Sequence, residues 1–115
     1  ILHANNVRDI ESDRRNNKWT LAALAGRPMA DCEYIALTLG GYAVVIAMTI
    51  AGAAPWPVLI TLLTLPLALR IVRFEARQTS PRALNLVLAQ TAGLHMMFGA
   101  LLALGFALAV WTGLA

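Results

Sequence analysis

Asn5, Asp9 and Asp13 recur every four residues near the start of an otherwise apolar chain, and that spacing has a chemical meaning if the segment is helical. Each step of four turns a helix by about 400° and climbs about 6 Å, so the three side chains stack as one amide and two carboxylates. Two carboxylates on one face repel unless a cation sits with them. A divalent metal is such a cation. Mg²⁺ is ordinarily held by one or two carboxylates, its other positions being left to water and phosphate oxygens. Arg8, Arg14, Arg15 and Lys18 stand close by, so the stretch from residue 3 to residue 20 could bind metal and polyphosphate together. The same residues also fit an ordinary solvated helix, because Glu11 precedes Arg15 by four and Arg8 precedes Glu11 by three, both ion-pair spacings.

Composition limits what can position these groups. A chain of 115 residues makes one domain at most. With 59% hydrophobic and only 13% charged residues it falls in the membrane class. The net charge of +3 does not point to nucleic acid: the cations are interleaved with acids or flank apolar runs, and no basic face carries aromatics. The single cysteine, Cys32, excludes an internal disulfide and a cysteine-built metal site. No secretory leader pattern is present. Ile1-Leu2 reads as the tail of an apolar run, so the expectation is an all-α integral membrane helical bundle with three complete transmembrane helices plus the end of a fourth. Residues 1–115 would then be the C-terminal portion of a single, larger membrane domain.

Residues 3–18 read as the polar end of a helix that breaks at Asn16-Asn17, followed by a short connection from Lys18 to Ala25 that ends at Gly26. Arg27-Pro28 opens the next element. Tyr34–Ala54 is 21 residues without a charge, enough to cross a hydrocarbon layer of roughly 30 Å. Ala54-Pro55-Trp56-Pro57 is a tight turn with an interfacial tryptophan. Val58–Phe74 is just long enough to cross, with Arg70 and Arg73 snorkelling and a kink expected at Pro66. Glu75–Arg82 is a polar loop in which Thr79-Ser80-Pro81 supplies a cap and a first-turn proline. The last helix covers Arg82–Trp111.

All nine Lys and Arg lie in residues 8–27 or 70–82, and the opposite ends, 53–57 and 112–115, have none. The positive-inside rule therefore predicts a multi-pass protein of the cell membrane with the aspartate segment on the cytoplasmic side.

Asn5-Asn6-Val7-Arg8-Asp9-x-x-x-Asp13-x-x-x-x-Lys18-x-Thr20-Leu21, followed by Leu24-Ala25-Gly26-Arg27, resembles the second aspartate-rich motif of the UbiA superfamily of intramembrane prenyltransferases. It is most similar to the branch acting on 1,4-dihydroxy-2-naphthoate in menaquinone biosynthesis. Ala83-Leu84-Asn85, Gln90-Thr91-Ala92-Gly93-Leu94-His95 and Phe98-Gly99 resemble the last helix of that branch. The chain departs from the pattern at Asn17, where the family usually has Gly; Asn still tolerates a left-handed turn. The resemblance implies Mg²⁺-dependent transfer of a polyprenyl group from a polyprenyl diphosphate to the aromatic acceptor, dihydroxynaphthoate, within the lipid bilayer. It implies metal binding by Asp9 and Asp13, assistance from Asn5 or Asn6, and contact of Arg8 and Lys18 with diphosphate oxygens. Asp9, Asp13 and Lys18 would be the catalytic set. A partner aspartate motif would lie outside these residues, so the segment alone is expected to be inactive.

The remaining polar residues carry less. His3 either touches the acceptor ring or caps a helix end. His95, Asn85 and Gln90 are intramembrane polar groups suited to function or to helix–helix hydrogen bonding. Arg70, Arg73 and Arg77 suit lipid headgroups. Two other readings stay open: a UbiA-type enzyme with a different aromatic acceptor, and a small non-enzymatic membrane protein whose charged segment only anchors its topology.

Overall fold

A computed structural model describes residues 2–78 and 80–114, the side chains of residues 2–4, 21 and 81 excepted. Thr79 of the expected cap and the side chain of His3 therefore lie outside what is described. All regular elements among these residues are helical: α1 (Leu2–Arg8), α2 (Ile10–Arg15), α3 (Leu21–Ile50), a 3-10 helix (Trp56–Thr64), α4 (Leu65–Glu75) and α5 (Pro81–Thr112). Three stretches, Ala22–Ile50, Trp56–Glu75 and Arg82–Thr112, are long and apolar enough to cross a membrane. They run up, down and up, so the start of α3, the end of α4 and the start of α5 meet at one end, where α1 and α2 pack. The chain is an all-α membrane helical bundle, elongated to 56 × 24 × 19 Å.

The polar segment is not one unbroken helix. Asp9 leaves helical geometry (φ −100°, ψ 9°) and separates α1 from α2, although its N–H still reaches the Asn5 carbonyl at 3.0 Å and its carbonyl accepts from Asp13 N–H at 2.7 Å. The break at Asn16-Asn17 occurs where expected, and Asn17 adopts the left-handed region at φ 55°. Apolar packing fixes this segment to the bundle: Val7 and Ile10 meet Ala22 and Ala30 of α3 and Leu84 of α5.

Residues 21–25 are a helical turn rather than the expected connection. Thr20 caps it, its Oγ1 accepting from Ala23 N–H at 3.1 Å. Gly26 (φ 78°, ψ 178°) then kinks α3 before Arg27-Pro28, a conformation open to glycine and strained for other residues. Downstream of the kink α3 is continuous to Ile50, so the span expected over Tyr34–Ala54 starts earlier, takes in Asp31 and Glu33, and ends four residues sooner. Its extra charged residues sit at the end where polar partners wait.

The second crossing also differs from expectation. Its first nine residues form a 3-10 helix, unusually long for that geometry. Two threonines support it: Thr61 Oγ1 donates to the Val58 carbonyl at 2.9 Å and Thr64 Oγ1 to the Thr61 carbonyl at 2.8 Å, both at the i−3 spacing of a 3-10 turn. Pro66 falls in the first turn of α4, where a missing N–H breaks no intrahelical bond, so the predicted kink is absorbed at the junction of the two helix types. At about 2.0 Å per 3-10 residue and 1.5 Å per α residue, the 20 residues reach about 35 Å, more than an all-α segment of that length.

α5 runs as predicted, with Ser80 Oγ accepting from Ala83 N–H at 3.3 Å. Its core contacts gather Tyr34 and Tyr42 of α3, Ala68, Ile71 and Val72 of α4, and Val87 and Leu94 of α5. Tyr34 OH pairs with Thr91 Oγ1 at 2.6 Å and Tyr42 OH with Thr64 Oγ1 at 2.7 Å, so the buried hydroxyls are satisfied where an unpaired one would be costly. Gly105 lets α5 lie against the 3-10 helix: a Cβ there would stand 2.6 Å from Val58 Cα and 2.8 Å from the Pro57 carbonyl. Gly105→Ala is therefore expected to destabilise the bundle by about 1–3 kcal/mol, whereas Gly99→Ala, with nothing within 4 Å, should leave thermal unfolding in detergent unchanged; equal melting temperatures for the two variants would refute the close approach.

Candidate active site

Where the ends of α3, α4 and α5 meet the α1–α2 segment, an open groove of about 630 Å³ is lined by Arg8, Asp9, Glu11, Ser12 and Arg15, by Arg27 of α3, and by apolar Val7, Ile10 and Leu84. Three arginines and two carboxylates thus share one concavity at the charged end of an apolar bundle. Arg8 and Asp9 pair in a fork, Nε to Oδ1 and Nη2 to Oδ2, each at 2.7 Å. The third corner of Arg8, Nη1, donates to Asn85 Oδ1 of α5 at 2.8 Å. These hydrogen bonds hold the Asp9 carboxyl below the usual carboxylate range, with burial opposing and the charges of Arg8 and Lys18 adding to the effect.

Asp13 lies in different surroundings. Its side chain is 8% exposed; Oδ1 faces Lys18 Nζ at 3.4 Å, and Oδ2 is buried without a hydrogen-bond partner. Lys18 is largely exposed and stands against Asp13, and neither residue lines the groove. Arg14, on the same short helix, donates from Nε to the Ala23 carbonyl at 2.7 Å and so ties α2 to the first turn of α3. Arg15 meets Glu11 only loosely, at 3.9 Å with both side chains mostly exposed, a pair worth little by itself. Asn5 and Asn6 are half-buried on α1.

A second charged cluster, not anticipated from sequence, adjoins the groove through Arg27. Arg27 bonds Asp31 through Nε, Gln78 O through Nη1 at 2.8 Å, and both Glu75 O and Glu75 Oε1 through Nη2, at 2.9 and 3.0 Å. Glu75 is 1% exposed, and its Oε2 has no partner. Arg27 and Asp31 are four apart on one helix, a spacing visible in the sequence; Glu75 comes from another helix and gives no local signal. Of the other polar residues, His95 Nδ1 bonds the Thr91 carbonyl at 2.8 Å and borders a small apolar cavity of about 170 Å³ with Tyr42, Leu94 and Phe98. Gln90, Arg70, Arg73 and Arg77 are exposed, and so is Cys32.

For a divalent cation, the chemistry of the donor set is suitable. Asp9 and Asp13 are hard oxygen donors, and the unpartnered Oδ2 of Asp13 is an acceptor that a cation or a water would complete. No cluster of three or more His, Cys, Asp or Glu is placed to hold a metal among the described residues.

Over 101 residues, 88% of its length, the chain is 38% identical to a UbiA prenyltransferase domain-containing protein 1 homolog of Drosophila melanogaster, covering 27% of that protein. It is 32% identical over 103 residues to the 1,4-dihydroxy-2-naphthoate octaprenyltransferase of Bacillus subtilis, covering 33% of it, and 29% identical over 111 residues to the enzyme of that name in Escherichia coli, covering 36%. Its relatives are UbiA-type prenyltransferases. The chain spans about a third or less of the first two of these UbiA-type relatives and just over a third of the third. No protein-family model matches it significantly, and neither does any solved structure.

Two outcomes follow from the geometry. Asp9 should stay ionised to a lower pH than an ordinary carboxylate, so the stability it contributes is present above its unfolded pKa and is lost as pH falls through its lowered folded value. A ¹³C titration of Asp9 would show this midpoint, and Arg8→Gln should return it upward. Arg27→Ala should cost about 3 kcal/mol in unfolding measurements, because it strands the buried Glu75; a loss below 0.5 kcal/mol, the usual range for a surface change, would contradict the role given to Arg27.

Proposed function

We propose that residues 1–115 are the C-terminal portion of a membrane prenyltransferase domain that transfers a polyprenyl group from a polyprenyl diphosphate to 1,4-dihydroxy-2-naphthoate, with Mg²⁺ as cofactor. The observation that carries the reading is the groove: three arginines beside an aspartate, at the polar end of an apolar bundle whose relatives include naphthoate octaprenyltransferases. An allylic diphosphate has one anionic head and one apolar tail, and this end of the molecule offers cations beside long apolar helix faces.

In this reading Asp9 and Asp13 hold the metal, with Asn5 or Asn6 assisting, and Arg8 and Lys18 meet diphosphate oxygens; Asp13 and Lys18, paired with each other outside the groove's lining, join it only when that pair opens. Bound there, Mg²⁺ would neutralise the charge of departing pyrophosphate without any proton transfer. Arg15, already near the acidic residues in sequence, and Arg27, which the sequence did not single out, both line the groove and enlarge the anion-binding set. The apolar helices keep water from the allylic cation while a ring carbon of the acceptor bonds to it and sheds its carboxylate as CO₂, restoring the aromatic ring. The site faces the cytoplasmic side of the cell membrane, where the Lys and Arg residues lie, and a partner acidic motif elsewhere in the intact protein completes it. An acceptor other than the naphthoate is the second reading, favoured by relatives whose name specifies only the prenyltransferase domain.

Asp9→Ala and Asp13→Ala in the intact protein should each abolish prenyl transfer while leaving membrane insertion unchanged. Membranes would be incubated with Mg²⁺, a polyprenyl diphosphate and candidate aromatic acids, and the product identified. Near-normal turnover by either variant would refute the assigned roles, and a product formed only on another ring would replace the acceptor.

A further inference from the structure

Arg8 and Asp9 occupy one another. Each is assigned above to a different ligand, yet both Asp9 oxygens accept from Arg8 at 2.7 Å, and the remaining Arg8 corner is taken by Asn85. Neighbouring residues on a helix do not face each other; here they do so because the helix breaks at Asp9, where ψ is 9°. Asn85 is itself well placed. Its neighbour Leu84 is 3% exposed and packs with Val7 and Ile10 on either side of the Arg8–Asp9 pair in sequence, so α5 presents the amide to Arg8 from a fixed position. The pair remains within reach of a ligand, with side chains 29% and 33% exposed on the groove.

A carboxylate whose two oxygens both accept from a guanidinium offers a divalent cation only its outward lone pairs, next to another cation, so it binds the metal more weakly until the guanidinium is drawn away. We propose that Arg8, Asp9 and Asn85 form a self-closed latch, in which Asn85 is a positioning residue that holds Arg8 across Asp9 until a polyphosphate oxygen draws Arg8 away. This rests on the metal–diphosphate reading of the groove and adds a condition to it: cation and diphosphate enter together, and the cation alone binds weakly. The latch keeps the Asp9 carboxylate oriented in the meantime, and it gives α5 a part in the site.

The test uses Mn²⁺ alone as the probe, titrated by electron paramagnetic resonance against the intact protein in detergent, without diphosphate. Arg8→Gln should tighten Mn²⁺ binding by about tenfold or more, because a charge-assisted fork is removed from Asp9. Asn85→Ala should tighten it by roughly threefold, through loss of one hydrogen bond to the guanidinium. Adding Asp9→Asn to the Arg8→Gln variant should cancel the gain. An Asn85 that served only to dock α5 would leave Mn²⁺ binding unchanged or weaken it. Unchanged or weaker binding in Arg8→Gln, or in Asn85→Ala should the first variant not fold, overturns the latch. If instead Mn²⁺ binding in every variant is insensitive to Asp9→Asn and Asp13→Asn, the metal–diphosphate reading itself fails, a result separable from failure of the latch.

Discussion

A carboxylate at the end of an apolar helix needs a cation, and in this chain that need organises the polar end. Glu75 is almost fully buried, and Arg27 meets it while also bonding two carbonyls at the C-terminal end of α4. One guanidinium thereby fixes the start of α3 against the end of α4. The cost of leaving Glu75 unpaired far exceeds what the exposed Arg15–Glu11 pair contributes. Because Arg27 also lines the groove, the same bond that holds two helices together sets one wall of the candidate site.

The other walls are placed by packing rather than by charge. Val7 and Ile10 anchor the acidic segment on small residues of α3 and on Leu84 of α5, and Arg14 fastens α2 to the first turn of α3. Arg8 and Asp9 are then arranged on a segment whose apolar contacts already seat it against the bundle. The arginines are therefore not equivalent: Arg8 stands at the rim of the groove, whereas Arg27 holds two helices together. Two buried oxygens, Asp13 Oδ2 and Glu75 Oε2, have no hydrogen-bond partner among the described residues.

Much of the fold was legible in the sequence because membrane-spanning segments obey simple length and charge rules. The last helix was placed within a residue at either end, and the turn at Asn17 adopts the left-handed geometry that its residue type allows. The second crossing was misjudged because a 3-10 helix and an α-helix share the same apolar composition; only the Thr61 and Thr64 side chains, spaced by three, hinted at the difference. At the site, spacing indicated the acidic residues but not their surroundings. Asp9 and Asp13 were expected to share a column, whereas one pairs with Arg8 in the groove and the other turns to Lys18. The bonds that decide this span long sequence separations, Arg8 to Asn85 and Arg27 to Glu75, and no local pattern encodes them.

The nine-residue 3-10 helix has a rotational consequence for the polar end. A 3-10 helix turns about 120° per residue and an α-helix about 100°, so winding Trp56–Thr64 in one form rather than the other changes the azimuth of everything after it by about half a revolution. Glu75, eleven residues beyond the last 3-10 residue, lies on the face that meets Arg27 of α3, so the winding upstream bears on which way its carboxylate points. The threonine pair at mid-crossing, whose hydroxyls bond the i−3 carbonyls, thus belongs to a winding whose phase is carried about 17 Å further along α4, to the buried acid at its end.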